Sequence, residues 1–374
     1  MPWTSEKMRW AIDQTLRVQA GLDISSALAN LQLKGKYLLL SAGVFGKTTI
    51  LDQIASQLDK VELDIRVQSI VNPDIAEIRK IASEYPGNRY DGLIAIGGGS
   101  IIDTAKVLSA LFCAENRVDP LLGLEKGETP VLAGCLPLIA IPGTSGTGSE
   151  CTPFATIWDK VRLRKYSLNS PHIVPKHVIM DPSLTVNMPY LLTLYTALDA
   201  LSHACESLWN RNYSPVSEAA ANTAISKIIR YLPQALERLD EPDPRAELQN
   251  AAYLSGLAIS QTKTAIAHAI SYPLTYRYLV PHGLACSFTI PAIYSFLKNN
   301  YGLSEELDKV LKKAAVFVQN LGLQENLREY LSPEDFYQLS SEMTNPERFR
   351  NFVHDINPVQ LRSIMRDAFV DKNL

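Results

Sequence analysis

The sequence predicts an α/β domain built on a parallel sheet, followed by an all-α domain. In the first half, aliphatic runs typical of buried strands alternate with helical patterns, which favours βαβ units. After residue 185 the strand runs end, and every periodic segment has helical spacing. A chain of 374 residues is also longer than one hydrophobic core usually grows. We therefore expect two domains, residues 1–185 and 186–374.

The individual elements follow from residue spacing. Strands are predicted where β-branched and aliphatic residues run between turn signals, at 15–20, 36–42, 63–70, 91–98, 137–143 and 177–181. Helices are predicted where apolar residues recur three and four positions apart, in the first half at 48–60, 73–85 and 100–112. The later helices are predicted at 194–209, 216–232, 245–260, 305–322 and 358–369.

Composition excludes several classes of protein. The chain has 36 Lys and Arg against 39 Asp and Glu, with no basic stripe, so we expect no nucleic-acid partner. No run of about 18 apolar residues occurs, so we expect no membrane span. The five cysteines form no CxxC pair, which argues against a disulfide framework and against a thiolate zinc site. A reducing compartment follows, and we expect a cytoplasmic protein.

Two glycine-rich turns each follow an apolar strand. In "IAIGGGSIIDTAK", Gly97, Gly98 and Gly99 let backbone N–H groups approach an anion at a helix N-terminus, and Ser100 and Asp103 have capping-box spacing. The alternative is a tight turn without a ligand.

The second turn, "IPGTSGTGSE", carries hydroxyl groups that include Thr144 and Ser145. Open α/β sheets bind ligands at the carboxyl ends of their strands, so two such loops favour a dinucleotide. A solvated linker is the alternative here.

Asp199 and His203 lie one turn apart in a segment that is otherwise apolar, "LYTALDALSHACESLW". Residues with this spacing share a helix face, so both side chains can bind one cation, and Glu206 on the same face is a candidate to orient a ligand. His268 and His282 also have apolar surroundings. A single histidine in such surroundings is more often an ordinary core residue. One aspartate together with three histidines suits a divalent metal such as iron or zinc, and the spacing of the residues does not distinguish the two metals.

These segments together resemble the iron-containing (group III) alcohol dehydrogenase family over nearly the whole chain. The matching motifs are "GGGSIIDTAK", "IPGTSGTGSE", "MDPSLTVNMP", "ALDALSHACE", "AHAISYP" and "PHGLACS". The resemblance implies the dehydroquinate synthase-like architecture: a Rossmann-like domain, an all-helical domain, and a cleft that holds a nicotinamide cofactor and a metal. It also implies at least a homodimer.

The resemblance assigns roles to particular residues. Those that match the family's metal ligands are Asp199, His203, His268 and His282. Those that match its pyrophosphate turn are Gly97, Gly98, Gly99 and Ser100, and those that match positions lining the cofactor are Asp103, Thr144, Ser145 and Lys165.

Two positions depart from the family pattern. Tyr272 stands four residues after His268, where relatives often have a histidine proposed to relay protons, so Tyr272 becomes the candidate catalytic residue. Ala42 stands where NAD-preferring relatives commonly have an aspartate, and Lys47 is nearby, so NADP is allowed beside NAD.

The resemblance implies a metal-dependent reductase that transfers hydride between NAD(P) and a small aldehyde or alcohol. "KYSLNSP" and "HAISYPLTYRYLVPHGLACSFTIP" are most similar to the phosphonoacetaldehyde reductases, and a dianionic substrate would need cations such as Arg162, Arg164, Lys263 or Arg277. The alternatives are a dehydroquinate-synthase-like lyase and a metal-binding relative without catalysis.

Overall fold

The structure, a computed structural model, describes residues 17–20, 23–69, 72–86, 89–113, 119–162, 164–343 and 346–369. The chain divides into two compact units between Val186 and Asn187. The N-terminal "MPWTSEKMRWAIDQ" and parts of two predicted strands, residues 15–16 and 70, lie outside the described residues.

The first unit is built on a parallel sheet of six strands. They are β1 (Arg17–Ala20), β2 (Gly35–Ala42), β3 (Val61–Gln68), β4 (Gly92–Gly97), β5 (Leu138–Pro142) and β8 (His177–Met180). Their order across the sheet is β1-β8-β5-β4-β2-β3. Each of the predicted strands is present. In β2, Leu38 and Leu40 pack into one hydrophobic core and Leu39 packs into another, on the opposite face of the sheet. Both faces are therefore buried, which explains why the strand is an unbroken aliphatic run.

Helices connect the strands of this sheet. They are α1 (Ile24–Leu31), α2 (Ile50–Gln57), α3 (Ile75–Glu84), α4 (Gly99–Phe112) and α5 (Pro120–Glu125). An antiparallel hairpin, β6 (Phe154–Asp159) and β7 (Arg164–Asn169), was not predicted. Its turn is held by Asp159, whose carboxylate accepts hydrogen bonds from the backbone N–H groups of Val161 and Arg162 at 3.1 and 2.8 Å.

From residue 187 the described chain contains helices and no strand longer than an isolated bridge. They are α6 (Tyr190–Leu208), α7 (Pro215–Glu237), α8 (Pro242–Thr262), α9 (Ile266–Arg277), α10 (His282–Ser287), α11 (Ile290–Tyr301), α12 (Glu305–Asn320), α13 (Leu323–Arg328), α14 (Pro333–Gln338), α15 (Pro346–Asn351) and α16 (Pro358–Phe369). One hydrophobic core runs through this unit. The predicted fold class, a parallel α/β unit followed by an all-α unit, is confirmed.

α9 contains Pro273 and continues to Arg277. A proline inside a helix removes one hydrogen bond and usually destabilises the helix by about 3 kcal/mol. Ile270 and Leu274 on either side of it are fully buried in the core, and this packing retains the helix. Across the described residues, no helix combines the length and apolar character that crossing a bilayer requires.

Candidate metal and nucleotide sites

The two glycine-rich loops are neighbours at one edge of the sheet. β4 and β5 pair side by side, with Gly97 opposite Pro142, and the backbone N–H of Gly143 donates to the carbonyl of Gly97 at 2.9 Å. A Cβ on Gly99 would lie 2.5 Å from Oγ1 of Thr147, closer than real Cβ atoms come. Glycine at position 99 therefore allows the second loop to pack against the start of α4.

The start of α4 has features that a phosphate group needs. Gly98 is the N-cap residue of this 14-residue helix. Because glycine has no side chain, the cap residue offers no side-chain acceptor to the first backbone N–H groups of α4, which can therefore bind an anion. Thr144 lies beside Gly98, since a Cβ on Gly98 would contact it at 3.3 Å. The hydroxyl of Ser145 is buried and finds no hydrogen-bond partner in the described structure. The residues present therefore fit a pyrophosphate group.

Other residues assigned to the cofactor are engaged with protein groups. The Ser100 hydroxyl accepts from the backbone N–H of Asn72 at 3.3 Å. The Asp103 carboxylate accepts from the Ser149 hydroxyl and from the backbone N–H of Thr156. Burial raises the pKa of Asp103, and the nearby Lys106 ammonium opposes this rise. Asp103 therefore joins α4 to β6 and to the second loop.

Lys165, on β7, places its ammonium over the Trp158 ring, 5.4 Å from the ring centroid. Its assignment to the cofactor rests on the sequence.

In the helical unit, three imidazoles converge on one carboxylate oxygen. The Nε2 atoms of His203, His268 and His282 lie 3.6, 3.7 and 3.8 Å from Oδ1 of Asp199. α6 supplies Asp199 and His203, α9 supplies His268, and α10 supplies His282. We call these four residues the donor cluster.

The donor cluster fits a divalent first-row metal ion. Ligand atoms about 2.1 Å from a tetrahedral ion lie roughly 3.4 Å from one another, close to the distances observed. Oδ1 of Asp199 and Nε2 of His268 are buried and have no hydrogen-bond partner among the described residues. Buried polar atoms without a partner are unfavourable, and a cation would satisfy both of these.

The electrostatics of the donor cluster also favour a positive charge. Burial lowers the pKa of His203 to about 4, so its imidazole is neutral at pH 7 and offers a lone pair. Burial opposes ionisation of Asp199, yet the neighbouring imidazoles hold the pKa of its carboxyl below the ordinary value. Burial also acts to lower the pKa of His268, but its interactions with Cys286 and Glu206 outweigh burial and raise that pKa well above normal. A metal ion that binds Nε2 of His268 would therefore displace a proton from this ring.

Glu206 orients His268. Its Oε2 lies 2.5 Å from Nδ1 of His268, and its Oε1 accepts from the backbone N–H groups of Ala267 and His268 at 2.7 and 3.2 Å. A carboxylate that accepts from Nδ1–H leaves the lone pair of Nε2 for a metal, as is usual in histidine metal sites.

Two further groups near the donor cluster were missed in the sequence. The thiol of Cys286, one turn after His282, belongs to a group of candidate ligand atoms with Asp199, His268 and His282 that lie within 4.8 Å of one another. The available signal was the spacing of four residues between His282 and Cys286, which is not a CxxC pair.

Arg348, on α15, was the second group missed. Its Nε donates to Oη of Tyr272 at 3.0 Å. Arg348 is 76 residues away along the chain, so no local spacing connects it with Tyr272.

Two family models match almost the whole chain. Residues 17–182 match the model described as iron-containing alcohol dehydrogenase, and residues 193–374 match the C-terminal model of the Fe-containing alcohol dehydrogenase family. The chain belongs to the iron-containing alcohol dehydrogenase family. This membership, predicted from the motifs, makes it an oxidoreductase of the alcohol dehydrogenase type.

Individual relatives agree with this assignment to the iron-containing alcohol dehydrogenases. An NAD-dependent methanol dehydrogenase of Bacillus methanolicus is 31% identical over 263 residues, which are 70% of this chain and 68% of the relative. A phosphonoacetaldehyde reductase of Streptomyces viridochromogenes is 34% identical over 219 residues, 57% of this chain and 55% of the relative. The crystal structure of an iron-containing alcohol dehydrogenase from Thermotoga maritima, 28% identical, has a TM-score of 0.82 and covers 96% of this chain and 99% of its own.

Proposed function

We propose that this alcohol dehydrogenase reduces a small aldehyde with NADPH or NADH at a divalent metal held by Asp199, His203, His268 and His282. The observation that carries the proposal is the convergence of three Nε2 atoms on one buried carboxylate oxygen. When bound, the metal supplies Lewis acidity at the carbonyl oxygen and the nicotinamide supplies hydride. Iron is the proposed metal, with zinc as the alternative.

The chain's own residues would hold and orient these groups. Glu206 keeps the metal-binding nitrogen of His268 available through its contact with Nδ1. The Gly97–Ser100 turn and the hydroxyls of Thr144 and Ser145 would bind the pyrophosphate at the start of α4. Tyr272 follows His268 by one turn of α9, and we propose that its Oη delivers the proton that the alcohol product needs.

The proposed cofactor preference rests on the carboxyl end of β2. Ala42 offers no carboxylate to accept a hydrogen bond from the adenosine ribose or to repel a 2′-phosphate. Lys47, five residues later, adds a positive charge to the same segment. We therefore propose that NADPH is accepted and that NADH is the alternative donor.

Phosphonoacetaldehyde is the proposed candidate substrate. The similarity to a phosphonoacetaldehyde reductase supports it, although that alignment covers 57% of this chain. Membership of the family favours a dehydrogenase over a dehydroquinate-synthase-like lyase. A lyase regenerates its cofactor, so net consumption of NADPH with an aldehyde separates the two activities. A homodimer or larger homo-oligomer in the cytoplasm remains our prediction from sequence.

Metal analysis followed by an aldehyde screen with NADH and NADPH side by side tests the proposed function. We expect about one metal ion per chain and reduction of at least one short aldehyde. His268→Ala should abolish both metal content and reduction.

The His268→Ala variant leaves the carboxylate of Glu206 buried without its partner, which can destabilise the fold. His282→Ala is therefore the second variant, because the side chain of His282 is 36% exposed and its loss leaves no such buried charge. The control is His172→Ala, an exposed histidine of the sheet unit. If ferrous wild-type protein reduces no aldehyde in a broad panel, the metal-binding role without catalysis replaces this proposal.

A further inference from the structure

Cys286 is held at the donor cluster by two features of α10. It follows His282 by four residues, so the two side chains share one helix face, as Asp199 and His203 do on α6. The backbone carbonyl of Cys286 accepts from the Ser202 hydroxyl at 3.4 Å, which joins the end of α10 to α6. The thiol is fully buried on the side of α10 that carries the imidazole of His282.

The distances around Sγ of Cys286 fit two donors of one ion. Sγ lies 3.6 Å from Nε2 of His282. A sulfur about 2.3 Å from a metal and a nitrogen about 2.1 Å from it are roughly 3.6 Å apart when the ligands are tetrahedral. Sγ also lies within 4.8 Å of a carboxylate oxygen of Asp199 and a ring nitrogen of His268. These separations are compatible with one shared ion.

The surroundings of this thiol differ from those of an ordinary core cysteine, which packs as a small apolar group. Among the described residues, Cys286 is the one cysteine that belongs to a group of candidate metal ligands. Two members of that group, Asp199 and His268, are buried, and their Oδ1 and Nε2 atoms find no hydrogen-bond partner in the described structure. A cation bound by all three residues would satisfy these atoms.

A thiolate would change both the charge and the metal preference of the donor cluster. Asp199 and an ionised Cys286 supply two negative charges against the two positive charges of a divalent ion. The thiol proton leaves to solvent as the bond between sulfur and metal forms. Thiolate ligands favour zinc, whereas sites of carboxylate and water oxygens suit manganese.

We propose that Cys286 binds the metal through its sulfur, as a fifth ligand beside the donor cluster, and makes the site selective for zinc over manganese. This inference rests on the metal site of the proposed function and adds a ligand to it.

Cobalt(II) in place of the native metal tests the bond to sulfur. A cobalt–thiolate bond gives a charge-transfer band in the near ultraviolet that is much more intense than any from nitrogen and oxygen ligands. We expect this band in wild type and its loss in Cys286→Ser and Cys286→Ala. The control is Cys135→Ser, which removes a half-buried thiol of the sheet unit and should keep the band. The visible bands of the ion show whether cobalt is still bound.

X-ray absorption of the zinc-loaded wild type needs no variant, and it should show a sulfur neighbour at about 2.3 Å from the metal. Chelator competition measures the selectivity. Cys286→Ser should lower zinc affinity by at least about tenfold, the smaller loss found for groups that only orient a ligand, and should lower manganese affinity less. Thermal unfolding of the metal-free proteins shows that each variant is folded.

Bound cobalt without the charge-transfer band, a band that persists in Cys286→Ser, or zinc with only nitrogen and oxygen neighbours overturns the role of Cys286. The four-ligand metal site of the proposed function stands in each of these cases. Equal losses of zinc and manganese affinity in Cys286→Ser overturn the selectivity. If wild type binds none of these metals, the metal site itself fails, and the inference fails with it.

Discussion

At the scale of single residues, Glu206 determines what His268 can do. Its carboxylate is fully buried and accepts two backbone N–H groups besides facing Nδ1 of His268. Burial opposes its ionisation, but the His268 charge and these hydrogen bonds keep the pKa of Glu206 below the ordinary value. The carboxylate therefore stays an acceptor at neutral pH, and His268 presents Nε2 to the centre of the donor cluster.

Glu206→Gln should weaken metal binding by about 10- to 100-fold, the usual effect of removing a group that orients a histidine ligand. The amide keeps the shape of the side chain, but its NH₂ group facing Nδ1 favours the tautomer with a proton on Nε2. Metal affinity is measured by competition with a chelator. Glu237→Gln, an exposed carboxylate on α7, is the control, and an unchanged affinity in Glu206→Gln would contradict this account of the tautomer.

At the scale of elements, the donor cluster depends on how closely α10 approaches α6. A Cβ on Gly283 would lie 1.7 Å from the carbonyl oxygen of Tyr195 and 3.1 Å from the backbone nitrogen of Asp199. Only a residue without a side chain fits there, and the adjacent His282 reaches Asp199 as a result. The motif "PHG" thus combines a ligand with the glycine that positions it.

Gly283→Ala should push α10 away from α6 and separate His282 from Asp199. We expect a loss of stability of about 1–3 kcal/mol, as overpacking usually causes, together with weaker metal binding. Urea unfolding and metal titration measure the two effects. Gly123→Ala on α5 is the comparison, because there the nearest atom to a new Cβ is a Pro130 side-chain carbon at 3.3 Å. Wild-type metal affinity in Gly283→Ala would show that the close approach is not required.

At the scale of the whole molecule, the two candidate sites belong to different units. The glycine loops lie in the unit that ends at Val186, and all four members of the donor cluster lie in the unit that contains Asn187–Leu374. The donor cluster joins α6, α9 and α10, so a bound ion would cross-link three helices of the second unit. Metal binding should therefore stabilise that unit directly.

Removing the metal should lower the melting temperature of the helical unit by about 5–10 °C when the ion is present at roughly 100 times its dissociation constant. Hydrogen exchange localises the effect, because protection should fall in α6, α9 and α10 after chelation. Exchange in β4 and β5, which contribute no donor, serves as the internal control. Equal loss of protection in both units would mean that the ion does not act through the donor cluster.

The amino-acid sequence by itself determined the two-unit class, the parallel sheet and the family, because strand runs, helical spacing and glycine motifs are local patterns. It also nominated Asp199 and His203 together, since one helical turn fixes their separation. The convergence of His268 and His282 on Asp199 was decided only by tertiary structure, as were the contacts of Arg348 with Tyr272 and of Cys286 with the donor atoms. Tertiary structure also decided that α9 continues through Pro273 and that β6 pairs with β7. Core packing and cross-strand pairing join residues that are distant in sequence, and local sequence patterns do not show which distant residues will meet.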